Sequence, residues 1–172
     1  MSNKRQTHGH ASCTSIANEC ERYDDHMPTI IIHDVNSREH RLDSRRCLLR
    51  VAINDQESGP DAITEPQAAA MAQFALACIQ QDTDFVICCP GGIGRSIAVW
   101  CAIVHMTADD PDADMDVWES QSYAPNHRIF ETVCSAIAET TNPERNDESA
   151  NRKRYLVNRA AWMRRVTYCS DE

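Results

Sequence analysis

The sequence has no apolar run long enough to cross a membrane, and its first residues, MSNKRQTHGHASC, hold no apolar signal core. Those two absences predict a cytoplasmic protein with no integral membrane segment. Positive charge is in deficit: 17 Lys and Arg stand against 26 Asp and Glu, for a net charge of −9. A phosphate backbone needs a basic footprint, so nucleic acid is excluded as the main partner. Lysine itself is nearly missing, at two residues. The chain contains no internal repeat and no compositional break that would mark a second globular domain. Its 172 residues suffice for one domain with a sizeable core. Nine cysteines are present, but they are scattered and not framework-spaced, which argues against a secreted disulfide scaffold and for reduced thiols. Glycine is scarce, at five residues, and three of these lie between positions 91 and 94.

That glycine cluster sits in Asp84–Val104, DFVICCPGGIGRSIAVWCAIV. Phe85, Val86 and Ile87 read as a buried strand. The run after Arg95 is apolar almost all round and reads as a buried central helix. A strand, a tight Gly-rich turn and a helix form the layout in which backbone N–H groups and a helix N-terminus converge on an anion. Cys89 opens the turn and Arg95 closes it, giving C-x5-R-S. A thiolate is the nucleophilic form of cysteine, and helix N-termini and nearby cations favour it. Gly91, Gly92 and Gly94 allow the backbone to curl and approach a ligand closely. Arg95 presents a planar fork that can grip two phosphate oxygens. Ser96 can donate to the sulfur or cap the helix. With this many cysteines and arginines, the spacing alone is uninformative; the strand, the glycines and the helix around it carry the weight.

In that context CCPGGIGRS resembles the phosphate-binding loop of the cysteine-dependent protein tyrosine phosphatases, HCxxGxxR(S/T), and is most similar to the compact dual-specificity branch. The resemblance spans residues 29–138. It implies an α/β fold: a single domain with a short, mostly parallel sheet flanked by helices on both faces. It implies that Cys89 is the nucleophile of a phosphocysteine intermediate and that Ser96 assists the leaving thiolate. Pro90, Gly91, Gly92, Ile93, Gly94 and Arg95 would form the phosphate-binding loop. No cofactor and no metal are implied. Two positions depart from the family pattern. Cys88 stands where histidine is usual, and Pro90, directly after the nucleophile, has no N–H. An oxidised Cys89 therefore cannot be trapped by the next backbone nitrogen; a bridge to Cys88, though strained, or to another cysteine is the alternative.

The same chemistry needs a proton donor for the leaving oxygen, because an alkoxide or phenoxide leaves poorly. NDQESGPDAIT follows a strand candidate, Cys47–Ile53. Asp55, 34 residues before Cys89, lies about where the family carries its aspartic acid on a mobile loop. Asp61 is the second candidate and Glu57 a third, and all three also suit plain turn chemistry. The implied reaction is phosphomonoester hydrolysis on phosphotyrosine, and on phosphoserine or phosphothreonine, in proteins. The alternative is a phosphate- or phosphopeptide-binding module without turnover, which Cys88 and Pro90 favour. A nucleotide-binding loop fails at both ends, since Cys89 replaces its first glycine and Arg95 its lysine.

Elsewhere, Thr29–His33 reads as a strand bounded by Pro28 and a charged stretch. Thr64, Pro66 and Gln67 open a helix with a capping box, whose core face is Met71, Phe74, Ala75, Cys78 and Ile79. Cys101 and His105 are expected in the core of the helix after Arg95. The aspartates of 109–116 fail the spacing of a calcium loop. Pro125-Asn126 precedes a helix with Ile129, Phe130, Val133 and Ile137 inward, resembling the P-N-x-x-F element of the same phosphatases, with Asn126 as its cap. Residues 1–28 are expected to be a polar, frayed N-terminal segment. Its His8, His10, Cys13 and Cys20 match no zinc-finger spacing. Residues 29–139 are the expected catalytic domain. Residues 140–172 are expected to be a polar linker and a basic helix carrying Arg152, Lys153, Arg154, Arg159, Arg164 and Arg165. That helix either docks on the domain or offers a surface to acidic partners or anionic membrane. Oligomeric state is not legible.

Overall fold

The structure, a computed structural model, describes residues 6–20, 26–37, 47–56, 58–108 and 123–141. Glu57, the aspartates of 109–116 and the basic helix of the C-terminal region lie outside the described residues. In chain order the elements are β1 (Gln6–His8), β2 (Ala11–Ser15), α1 (Ile16–Cys20), β3 (Thr29–His33), β4 (Leu48–Ala52), α2 (Glu65–Gln80), β5 (Phe85–Cys89), α3 (Arg95–Thr107) and α4 (His127–Thr141). The strands form one sheet in the order β1-β2-β5-β3-β4. All pairings are parallel except the edge hairpin β1–β2. Parallel strands place their carboxyl ends on one side. Ser15, Cys89, His33 and Ala52 therefore close the same edge, where ligands of open α/β sheets bind.

Each strand divides the core by its two-residue period. Phe85, Ile87 and Cys89 of β5 join Ile30, Ile32, Ala11 and Cys13 in the main cluster, packed beneath α2, α3 and α4. Val86 and Cys88 face the opposite side with Ile31 and Ile16. Among the described residues the helix that contacts this second face is the short α1. Cys88 and Cys89 thus point to opposite faces of a paired central strand. A bridge between them would require β5 to leave the sheet, so that expectation is corrected. α3 is buried along almost its whole length, from Arg95 to Val104.

The frayed N-terminus is also corrected. β2 is buried throughout and pairs with β5 over five residues, from Ala11↔Phe85 to Ser15↔Cys89. ASCTS was illegible because its polar residues are satisfied by partners far along the chain. Ser12 Oγ donates to the Phe85 carbonyl at 3.0 Å, and the Trp100 indole N–H donates to the Ala11 carbonyl at 3.2 Å. His10, considered above as a metal ligand, instead has its two ring nitrogens 3.2 Å from Asp82 and 3.0 Å from Asp84. Cys13 is a core residue.

α2 begins as the sequence predicts. Gln67 Oε1 accepts both the backbone N–H and the hydroxyl of Thr64, each at 2.9 Å. Gln67 Nε2 then donates to the Ala52 carbonyl at 2.8 Å, tying the helix start to the end of β4. The buried face of α2 is Ala68, Met71, Ala72, Ala75 and Cys78. Phe74 and Ile79 are half-buried against it. His105 and Phe130 meet edge to face, with ring centroids 5.8 Å apart, where α3 packs on α4.

Candidate active site

The turn between β5 and α3 has φ +67° at Gly92, the left-handed region that side chains with a Cβ rarely adopt. A Cβ built there would lie 2.5 Å from the Ser15 nitrogen and 2.8 Å from the Thr14 carbonyl carbon. The turn therefore rests directly on the backbone at the end of β2, which only glycine permits. This curl brings the Gly92 N–H to the Cys89 sulfur at 3.2 Å. The Ser96 hydroxyl, in the first turn of α3, lies 3.1 Å from the same sulfur. Of the two roles open to Ser96, contact with the sulfur is the one observed, and the N-cap position belongs to Gly94. Cys89 is buried at the end of β5, while Pro90, Gly91 and Ile93 on the rim are exposed.

Arg95 is buried, with 7 % of its surface exposed, although it carries a permanent charge. One terminal nitrogen, Nη1, donates to Asp34 Oδ1 at 2.8 Å and to the Ile53 carbonyl at 2.7 Å. These two acceptors come from the carboxyl ends of β3 and β4, so the sheet itself aims the guanidinium. Its Nε is buried without a hydrogen-bond partner. A buried donor left unmade costs about 1–3 kcal/mol, so this one awaits an acceptor.

Asp55 and Asp61 lie on the same loop but do different things. Asp61 closes the loop base: Asn54 donates from its backbone to the Asp61 carbonyl at 2.9 Å and from Nδ2 to Asp61 Oδ2 at 3.2 Å. Asp55 Oδ1 accepts from Asn126 Nδ2 at 2.9 Å. Its other oxygen, Oδ2, lies 2.5 Å from where a Cβ of Gly94 would stand, so the carboxylate lies against the turn. Asn54 Oδ1 also accepts the Val35 N–H at 3.0 Å, joining this loop to the one that holds Asp34. The Ala124 N–H donates to the Ile93 carbonyl at 3.0 Å, docking the segment before α4 on the same turn.

Cys89, Arg95, Ser96, Asp55 and the turn glycines are thus gathered at one sheet edge. Pro90 contributes shape to the curl and no donor. Sequence reasoning missed Asp34, the partner of Arg95, and took Asn126 for a cap alone. The signal for Asp34 was its place one residue beyond a strand whose end faces the turn. Nothing in the sequence marked Ser15 as the floor beneath Gly92.

No protein-family model matches the chain, and no curated protein sequence matches it. Solved structures do match. Human tyrosine phosphatase-like serine/threonine/tyrosine-interacting protein is 14 % identical with TM-score 0.58, covering 80 % of this chain and 97 % of that one. PTPMT1 in complex with PI(5)P is 14 % identical with TM-score 0.56, covering 79 % and 95 %. Human DUSP28 is 12 % identical with TM-score 0.56, covering 80 % and 94 %. The chain has the fold of the cysteine-dependent protein tyrosine phosphatases in its compact dual-specificity form.

Proposed function

We propose that the protein is a cysteine-dependent phosphomonoester hydrolase. The observation that carries this reading is the turn itself. A cysteine sulfur at its base receives a backbone N–H and faces a hydroxyl, and the arginine that closes the turn is buried with its Nε free of hydrogen-bond partners. In the first step the Cys89 thiolate attacks phosphorus and the phosphorus–oxygen bond to the leaving group breaks. Asp55 delivers its proton to that oxygen. The product is a phosphocysteine. In the second step water attacks phosphorus, Asp55 takes its proton, and the sulfur–phosphorus bond breaks to release inorganic phosphate. Arg95 and the N–H groups of the turn hold the equatorial oxygens through both steps. Ser96 donates to the sulfur as it regains negative charge.

The substrates we infer are phosphotyrosine, and phosphoserine or phosphothreonine, in proteins. PTPMT1 was crystallised with PI(5)P, a polyanion. Arg95 is the only basic residue from Cys89 to Ser96, which supports the protein substrate. The test is hydrolysis of an aryl phosphate by the whole chain, with and without chelator. Turnover unaffected by chelator and abolished in Cys89→Ser is expected. Chelator-sensitive turnover, or turnover retained in Cys89→Ser, overturns the mechanism. Phosphopeptide binding by the wild type without turnover would establish the binding module instead.

A further inference from the structure

Asn126 makes two hydrogen bonds that fix its amide. Its Oδ1 accepts the Ile129 N–H at 3.0 Å, capping α4, and its Nδ2 donates to Asp55 Oδ1 at 2.9 Å. It is buried, with 5 % of its surface exposed, so water does not replace either partner. The two bonds decide the amide's orientation. Turning it over would face its NH2 to the Ile129 N–H and its oxygen to a carboxylate, donor to donor and acceptor to acceptor.

A fixed donor at Oδ1 has a chemical consequence for Asp55. Oδ1 is occupied as an acceptor, so the proton of the acid form resides on Oδ2. That is the oxygen lying over Gly94, against the turn. We propose that Asn126 is a positioning residue that directs the Asp55 proton toward the leaving-group oxygen by holding the carboxylate's other oxygen. The helix cap and the acid's orientation are therefore one device: α4 forms, the amide is locked, and the acid is aimed. The Ala124 N–H to the Ile93 carbonyl, two residues before Asn126, ties this helix start to the turn that binds the phosphoryl group.

The inference rests on the reading of Asp55 as general acid, and the experiment separates the two. Asn126→Ser keeps an oxygen that can cap α4 and removes the amide donor. Asn126→Asp keeps the cap acceptor and sets a second carboxylate against Asp55. Each is assayed on phenyl phosphate, a poor leaving group that needs the proton, and on 2,4-dinitrophenyl phosphate, a good one that does not. Asp55→Asn is run beside them, and thermal melting reports folding. Since general acid catalysis contributes about 10²–10⁴-fold, partial misplacement should lower kcat/KM, which reports phosphocysteine formation alone, by about 10–100-fold on phenyl phosphate and leave kcat/KM for the dinitrophenyl ester within about twofold. Asn126→Asp should lose at least as much. Equal losses on both esters, or no loss on either while Asp55→Asn discriminates, would overturn the positioning role and leave the general acid standing. Absence of discrimination in Asp55→Asn would overturn both.

Discussion

Gly92→Ala is the substitution for which the structure makes the sharpest demand. Two costs add. A residue with a Cβ held at a left-handed φ loses about 1–2 kcal/mol, partly offset by about 0.4–1 kcal/mol from the stiffer unfolded chain. The methyl would also lie 2.5 Å from the Ser15 nitrogen, 2.8 Å from the Thr14 carbonyl carbon and 2.9 Å from the Ser15 Cα. All three are backbone atoms at the end of a buried, paired strand, so no side chain can swing aside. Forcing a methyl into packed structure costs about 1–3 kcal/mol. The expected destabilisation is therefore about 2–4 kcal/mol. Gly9→Ala is the control, because Gly9 has φ +51° and nothing within 4 Å of its built Cβ. It should show the conformational cost alone, near 1 kcal/mol or below. Urea unfolding followed by tryptophan fluorescence gives both values, and aryl phosphate turnover is measured on the folded variants. Lifting the turn off β2 withdraws the Gly92 N–H from the Cys89 sulfur, so Gly92→Ala should lose turnover even where it stays folded. If Gly92→Ala were no less stable than Gly9→Ala and turned over like the wild type, the account of the turn as seated on β2 would be wrong.

Gly94→Ala should act differently: its methyl would meet the Asp55 carboxylate oxygen, the end of a movable side chain. Its stability should change by less than about 1 kcal/mol, while kcat/KM for phenyl phosphate falls and kcat/KM for the dinitrophenyl ester holds. Asp34→Ala removes the charged acceptor that aims the Arg95 guanidinium, and inhibition by inorganic phosphate should weaken by about tenfold, as expected for a charge-assisted hydrogen bond. Asp34→Asn, which keeps an acceptor oxygen, should retain more of it; phosphate inhibition unchanged in both would refute the aiming role. Burial, with a smaller contribution from Cys47, pushes the Cys78 thiol up to about 11. Alkylation at pH 8 should therefore label exposed Cys47 and spare Cys78 in the folded protein, as peptide mass mapping would show. Because its folded value lies above the unfolded value of 9.0, the stability Cys78 contributes is full below that pH and is lost as pH rises through about 11. Cys78→Ala should flatten that alkaline decline in stability, and an unchanged decline would place its source elsewhere.

Helices and turns with local causes were the legible part. Thr64 and Gln67 cap α2 through groups three residues apart, and Thr29–His33 is a strand within the predicted limits. The turn between β5 and α3 was legible because its glycines, thiol and guanidinium lie within seven residues of one another. The N-terminal strand was not. ASCTS has no apolar run and only a short alternation of small residues, Ala11 and Cys13 against Ser12 and Thr14, and its polar groups are satisfied by β5 and α3 from more than 70 residues away. The choice between Asp55 and Asp61 was likewise open in the sequence, where both are acidic residues of one turn. The fold separates them by giving one to Asn54 and the other to Asn126.

By itself the sequence determined the make-up of the candidate site: a cysteine and an arginine bracketing a glycine turn between strand and helix, and a stock of aspartates upstream. Those are properties of neighbouring residues, and neighbours remain neighbours in any fold. Which aspartate lies over the turn, which one steers Arg95, and what lies beneath Gly92 were decided only when the parallel strands brought their carboxyl ends together. Hydrogen bonds and packing act over about 3–4 Å of space whatever the separation along the chain, so pairs as distant as Asp34 with Arg95 and Asp55 with Asn126 exist only in the folded molecule.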